Sequence, residues 1–319
     1  MGKIMKRRRA TMIRNEITTK EALEEFYRDK RAANTAETTL KTYDMHIRNF
    51  INQNDLWDTP TCEITKDHYQ YWIECLKEDQ NKKDVTVATY CRSVRAFLYW
   101  LMEQEYTDIF PVKIPKYQKT VKRCYTDEEL RVLLEKPDKN CSEVHYQTWV
   151  YENFLIATGL RLSSSLDVRV RDIQDNGTAY IDTTKNNKGL ALYLNTDIIK
   201  ILRNYINLFQ LDKDDYLFCT ATKERLANHS MYCNVVSYNR SHGIEKTSVH
   251  LFRHTFAKNF YMQTKDIYTL CQILGHSSIS VTEGYLKDLG ISLFSETEYN
   301  PQKQFTKPVT KSRRGRLVC

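Results

Sequence analysis

A mainly α-helical fold with a small β-sheet, divided into two domains, is what this sequence predicts, and three observations predict it. Glycine (9) and proline (6) are scarce among 319 residues, which disfavours a turn-rich all-β sandwich and favours long helices. Apolar residues recur at three- and four-residue spacing over most of the chain, the period of one helix face. That periodicity breaks across residues 107–124, where two prolines and five positive charges replace it. With 41% hydrophobic and 28% charged residues the chain can bury a core, and its length suits two domains better than one.

The elements follow in order. After a basic tail over residues 1–15, Thr18–Ala33 opens on a threonine with early acids and sets Leu23 and Phe26 on one face. Leu40, Tyr43, Ile47, Phe50 and Ile51 stripe a second helix. Thr65–Lys77 begins on a capping threonine and aligns Trp72, Ile73 and Leu76. Val85–Tyr106 carries Val87, Tyr90, Val94, Phe97, Leu98 and Leu101. Residues 16–106 thus make a helical bundle of a size that can fold alone. Residues 107–124 read as an extended basic linker whose Lys113, Lys116, Lys119, Lys122 and Arg123 suit an anionic surface. A second domain, residues 125–290, starts at a capping box formed by Thr126 and Glu129. Helices at 127–135 and 144–158 precede a hairpin, in which Thr178–Thr184 and Leu190–Leu194 flank a turn containing Lys185 and Lys188. Thr196–Phe209 is helical, Tyr216–Phe218 reads as a short strand, and helices continue to Asp288. Residues 291–319 form a C-terminal segment and a second basic tail.

Charge and cysteine usage exclude several classes. The net charge is +8, yet residues 1–14 and 301–319 each carry +6 with no acid, which leaves −4 for the body. The tails serve solubility and DNA contact equally well. Nine scattered cysteines without a Cys-x-x-Cys pair argue against a disulfide framework or zinc ribbon and fit a reducing cytoplasm. Mean hydropathy is −0.60, and no apolar run approaches the ~18 residues of a spanning helix. The opening MGKIMKRRRATMIR lacks the apolar segment of a secretory signal.

The chemistry gathers in the second half. His250 and Arg253, three apart in His250-Leu251-Phe252-Arg253-His254-Thr255-Phe256, share a helix face, with Leu251, Phe252 and Phe256 as anchors. Leu274-Gly275-His276-Ser277-Ser278 marks a glycine turn, and Tyr285 follows His276 by nine residues. Thr158-Gly159-Leu160-Arg161 puts an arginine past a helix end. Two arginines, two histidines, a hairpin lysine and a tyrosine suit a phosphate, because the guanidinium fork engages two oxygens and stays charged. Taken singly, Arg161 also reads as a cap or ion-pair residue, Lys185 and Lys188 as hairpin-tip solubility, and Tyr285 as one of 21 tyrosines. His250 and His254 at i, i+4 lack the glutamate and third ligand that zinc would need, so no metal and no cofactor is expected.

In these boxes the chain resembles the tyrosine recombinases, the phage-integrase family: T-G-L-R at Thr158–Arg161, a hairpin lysine at Lys185, H-x-x-R-H-T-F-A at His250–Ala257, L-G-H-S-S at Leu274–Ser278, and the tyrosine at Tyr285. The resemblance implies a helical core-binding (SAM-like) N-terminal domain and an α+β catalytic domain. It implies metal- and ATP-independent DNA strand transfer in which Tyr285 forms a 3′-phosphotyrosyl link. Arg161, Arg253 and His276 would hold the phosphate, Lys185 would protonate the leaving 5′-oxygen, and His250 would assist the tyrosine. The implied partner is double-stranded DNA with inverted-repeat core sites, bound by a homo-tetramer through a Holliday junction, with no membrane role and an accessory directionality factor left open. The linker lysines and Lys188 would touch the DNA backbone, base readers would lie on the second and fourth helices, and the location would be cytoplasmic, on a bacterial nucleoid.

Departures qualify the match. Ser164 stands where the family has an acid, Phe252 replaces a leucine, Lys258 a threonine and Tyr193 a proline, and Thr264-Lys265-Asp266 lacks a usual glycine. None removes a catalytic group. A mobile-element integrase or transposase is the reading adopted. An Xer-type chromosome-dimer resolution enzyme, a DNA-binding regulator with degraded catalysis and a type IB topoisomerase stay open as alternatives.

Overall fold

The computed structural model describes residues 17–118, 120–174, 176–181 and 189–291, and the backbone of 310–311 and 317–318. The chain forms two compact units, divided between Lys119 and Thr120.

In the front unit, α1 (Thr19–Ala32) starts at the capping box the sequence announces: Glu21 accepts from the Thr18 backbone at 3.0 Å while Thr18 Oγ1 accepts from the Glu21 amide. Helices α2 (Glu37–Gln53), α3 (Lys66–Glu78) and α4 (Asp84–Glu103) follow, and α4 packs against the other three. Phe26, Ile47, Phe50, Trp72, Val94, Phe97 and Leu98 are fully or almost fully buried between them. Residues read as the start of the linker lie along this unit: Val112 is buried, Thr107 donates to the Ile64 carbonyl, and the Lys113 carbonyl accepts from Tyr69 Oη.

The second unit is organised around α6 (Glu143–Thr158). Its buried residues, including Trp149, Val150, Tyr151, Phe154 and Leu155, occur on all sides, as expected of a helix inside a core. It is flanked by α5 (Asp127–Leu134), α8 (Thr196–Leu208), α9 (Asn228–Ser241) and α10 (Val249–Thr264). A short α7 (Leu162–Leu166) follows α6. The hairpin is antiparallel, with β1 (Thr178–Ile181) and β2 (Leu190–Tyr193) registered Thr178 to Tyr193 and Ile181 to Leu190. Helices α11 (Ile267–Leu274) and α12 (Ile279–Asp288) complete the unit, packing with α10 around Ala257, Leu270, Leu274, Leu286 and Leu289. Backbone pairing also joins β3 (Thr310–Lys311) to β4 (Leu317–Val318).

One element differs from expectation. Tyr216–Phe218 is not a strand: only a single bridge joins Tyr216 to Arg169. Leu217 and Phe218 are apolar because they are buried in the core, and tight turns at Asp212–Asp215 and Thr220–Lys223 leave no room for a longer ladder.

Candidate active site

Helix α6 ends at Gly159, whose φ of +64° is left-handed and whose absent Cβ would sit 2.3 Å from the Phe256 ring. Glycine is therefore required twice over, by conformation and by space. This stop turns the chain so that Arg161 begins α7 beside the α11 end, where its guanidinium donates to the Leu274 carbonyl at 3.4 Å. Phe252 on α10 is fully buried against Tyr125, with ring centroids 4.6 Å apart, which fixes the helix that carries Arg253.

Arg253 is the hub. It is only 5% exposed. One nitrogen donates to the Gly159 carbonyl at 2.8 Å; the other donates to the Leu274 carbonyl at 2.8 Å and to His276 Nε2 at 3.2 Å. Because a guanidinium only donates, Nε2 must be the acceptor and the imidazole proton sits on Nδ1, which donates to Thr282 Oγ1 at 2.9 Å. Burial, then the charges of Arg253 and Arg161, push His276 down to about 4, so the ring is neutral at neutral pH. Burial first and Arg161 second lower Arg253 to about 10, still protonated. Among the described residues neither Arg161 nor Arg253 is in an ion pair.

Tyr285 on α12 completes the cluster. Its ring meets the edges of His276 and His254, with centroids 5.5 and 5.6 Å away, and the Lys122 ammonium stands 5.0 Å from its centroid. The hydroxyl is buried and, among the described residues, meets no partner in hydrogen-bond geometry. Burial pushes it up to about 12, opposed mainly by Arg253. His254 Nδ1 donates to the Arg123 carbonyl at 3.3 Å. His250, one turn before Arg253, is solvent-exposed as a side chain; desolvation of its ring, then Arg253 and Arg161, lower its pKa.

Arg161, His250, Arg253, His276 and Tyr285 thus come together on α7, α10, α11–α12 and the turns between them. Lys185, Lys188 and Lys119 lie outside the described residues. Lys113 and Lys116 are exposed in the front unit; Arg123 is exposed in the second, and Lys122 pairs with Asp288 at 3.2 Å. Ser164 is buried on α7, a helix braced by Arg225, which donates to Asp167 at 2.5 Å and to the Ser163 carbonyl at 3.2 Å. Sequence reasoning missed Thr282, His254 and the Lys122–Asp288 pair. Thr282 had one signal, a place three residues before Tyr285 on the inward face with Leu286. A cavity of about 850 Å³ near Tyr146 and Phe209 includes none of these residues.

A ring of donors around a buried phenol, with no carboxylate among the described residues paired to the two guanidiniums, fits a site that receives an anion. Known proteins resemble this chain in sequence and in fold. The chain is similar to the tyrosine recombinase XerD of Staphylococcus haemolyticus, 26% identical over 66% of this chain and 75% of that protein. It is also similar to XerA of Pyrococcus furiosus, 23% identical over 86% of this chain and 92% of that one. In fold it resembles a lambda integrase dimer bound to a core site, with a TM-score of 0.71 at 16% identity over 90% of this chain and 82% of that one. It likewise resembles the XerH recombinase in a post-cleavage complex, with a TM-score of 0.67 at 21% identity over 83% and 80%. The sequence profile of the phage integrase family matches residues 123–289, just over half of the protein, and the chain belongs to that family of tyrosine recombinases.

Proposed function

We propose that this protein is a site-specific DNA recombinase of a mobile element that cuts and rejoins DNA through a covalent tyrosyl intermediate. The observation that carries the reading is the Arg161–Arg253–His276 cluster, with two guanidiniums resting on backbone carbonyls beside the Tyr285 hydroxyl. A phosphodiester entering this cluster offers oxygens that replace those carbonyls and His276 as acceptors. Its charge also favours a protonated His276, reversing the depression that the two arginines impose. The Tyr285 oxygen then attacks phosphorus as the bond to the 5′-oxygen breaks. The phenol proton leaves toward His250, and Lys185 gives a proton to the departing 5′-oxygen. One phosphate ester replaces another, so the bond energy is kept for rejoining and neither ATP nor a metal is consumed. The guanidiniums stabilise the charge that builds on the non-bridging oxygens.

On this reading α2 and α4 carry the base contacts, and Lys113, Lys116, Lys119, Lys122, Arg123 and Lys188 meet backbone phosphates. Four copies act on paired inverted-repeat sites through a Holliday junction, as motivated by the fold's likeness to a lambda integrase tetramer bound to one. The work is done in the cytoplasm, on the nucleoid. Among the described residues no helix is long and apolar enough to cross a membrane. A second reading, chromosome-dimer resolution, is favoured by the XerD and XerA relatives. One experiment addresses both. The protein is incubated with a randomised pool of nicked duplexes and denatured, and the protein-linked strands are sequenced. Wild type should retain linked DNA and Tyr285→Phe none. Recovered sites that match the ends of a mobile segment support the first reading, and a single chromosomal locus supports the second. Equal retention by Tyr285→Phe would refute the nucleophile.

A further inference from the structure

Helix α9 presents to solvent a cysteine and a histidine one turn apart, neither of them part of the Tyr285 cluster. The inner face of the helix is held fast. Met231, Val235, Tyr238 and Asn239 are fully buried, Tyr238 Oη donates to the Leu133 carbonyl at 3.2 Å, and Asn239 Nδ2 donates to the Lys246 carbonyl at 2.7 Å. The outer face carries His229, Tyr232, Cys233 and Arg240, all exposed. Cys233 Sγ lies 3.6 Å from His229 Nε2, as neighbours four apart on a helix can. The His229 ring stacks beside Tyr232, with centroids 6.5 Å apart and 26° between the planes. Cys233 also lines an open hollow of about 390 Å³ with Tyr232, Val236, Ser237, Arg240 and Thr247. Arg240 stands two turns past Cys233, ~10 Å along the axis, and is in no ion pair among the described residues. Other thiols are shielded: burial pushes those of Cys91, Cys124 and Cys219 up.

We propose that Cys233 is a site of reversible thiolation by a small peptide disulfide, with His229 taking the thiol proton and Arg240 seating a carboxylate of the reagent. The thiolate is the nucleophile in disulfide exchange, so the reaction needs open access and a base at the thiol. Cys233 has both. As its sulfur attacks one sulfur of the disulfide, the thiol proton passes to His229 Nε2. A new S–S bond forms on Cys233, the old one breaks, and its electron pair leaves on the second sulfur, which is protonated by the imidazolium. Cys233 is thereby oxidised to a mixed disulfide while half of the reagent is reduced to a free thiol, and no other oxidant is consumed. The hollow fits a carboxylate-bearing peptide. A guanidinium fork grips a carboxylate, Ser237 and Thr247 supply hydroxyls for peptide N–H and C=O groups, and Val236 gives an apolar floor. The site uses neither DNA nor Tyr285 and stands independently of the recombinase reading.

The test mixes the reduced full chain with glutathione disulfide, samples it over time, and maps the modified cysteines by peptide mass spectrometry. Cys233 should gain one glutathionyl group, and dithiothreitol should remove it. His229→Gln should slow modification of Cys233 about tenfold, the loss of a general base that is open to water. Arg240→Gln should slow it about threefold, the scale of an exposed charge contact. With the uncharged disulfide of mercaptoethanol as the reagent, Arg240→Gln should react at the wild-type rate while His229→Gln stays slow. Both substituted side chains are exposed, so the buried face of α9 is untouched, and the dependence on reagent charge is a readout that a merely structural role would not move. Failure of Cys233 to react, or an equal rate in His229→Gln and wild type, would overturn the thiolation site. Equal slowing of Arg240→Gln with both reagents would overturn the carboxylate seat.

Discussion

The two units treat buried polarity in opposite ways. In the front unit the large polar side chains of the core reach across helices to partners: Trp72 to Asn49 at 2.9 Å, Trp100 to Asp29 at 2.9 Å, Tyr106 to Glu25 at 2.8 Å, and His46 to Ser93 at 2.8 Å. In the second unit, Glu152, Asn239 and Tyr285 hold every buried side-chain atom that lacks a partner among the described residues, and two arginines rest on carbonyls with no counter-ion. Unsatisfied buried groups cost stability and persist where something else selects them. The contrast separates a unit that pairs its buried polar groups from one that leaves several of them unpaired among the described residues.

The largest effect should come from the hub of the second unit. Arg253→Lys keeps a positive charge but loses the fork that spans Gly159, Leu274 and His276. The single-turnover rate of tyrosyl–DNA linkage should fall about 10²- to 10³-fold, the usual cost of a lost transition-state donor. On the proposed reading, in which the linker cations meet backbone phosphates, DNA affinity measured by gel shift should change little. An Arg253→Lys variant that cleaves at the wild-type rate would show that the carbonyl-held fork is not the seat of the phosphate.

How much of this was legible in the sequence follows from how local each feature is. Caps at Thr18, Thr65 and Thr126 and the apolar stripes act within a few residues, so helix starts were readable to within about three positions. The site boxes were legible because each is a short contiguous string. What they do to one another was not. The Nδ1–H tautomer of His276, the burial of Arg253 and the placement of Lys122 over Tyr285 depend on residues 21 or more positions apart in the chain. Tyr216–Phe218 failed as a strand because an apolar triplet signals burial without specifying a ladder. In the Thr264-Lys265-Asp266 turn, which lacks the expected glycine, Lys265 takes the left-handed C-cap with φ of 56°, so the turn forms at the cost of backbone strain.

Glu152 supplies the second test. It is fully buried on α6 with both carboxyl oxygens unpartnered, and burial raises its pKa well above the ordinary 4.5. The folded state therefore holds a proton that the unfolded chain gives up above pH 4.5, so stability falls as pH rises from there toward the folded pKa. Glu152→Met, of similar length and without polar atoms, should stabilise the second unit by about 1–3 kcal/mol in urea unfolding at neutral pH. Its advantage should widen as pH rises above 4.5. An advantage that stays flat with pH would mean that Glu152 is already ionised and paired, which would erase the contrast with the front unit.

The front unit should answer with the smallest effect and the opposite sign of pH dependence. His46 is buried, stacks on Tyr90 with centroids 3.9 Å apart, and bonds Ser93 Oγ through Nδ1. Burial lowers its pKa below the ordinary 6.5. The folded state therefore resists a proton that the unfolded chain takes up. Stability is fully present above pH 6.5 and is lost as pH falls through the folded pKa. Ser93→Ala removes the partner and leaves Nδ1 unsatisfied between α2 and α4, at a cost of about 1 kcal/mol. Denaturant unfolding followed by tryptophan fluorescence reads mainly this unit, since Trp57, Trp72 and Trp100 lie in it and only Trp149 lies outside. The wild-type midpoint should drop between about pH 7 and pH 5, and Ser93→Ala should lower it further at both ends. If the midpoint instead rises on acidification, the His46–Ser93 pair is held by a charged imidazole, and the front unit would share the second unit's habit of burying polar groups that its fold leaves uncompensated.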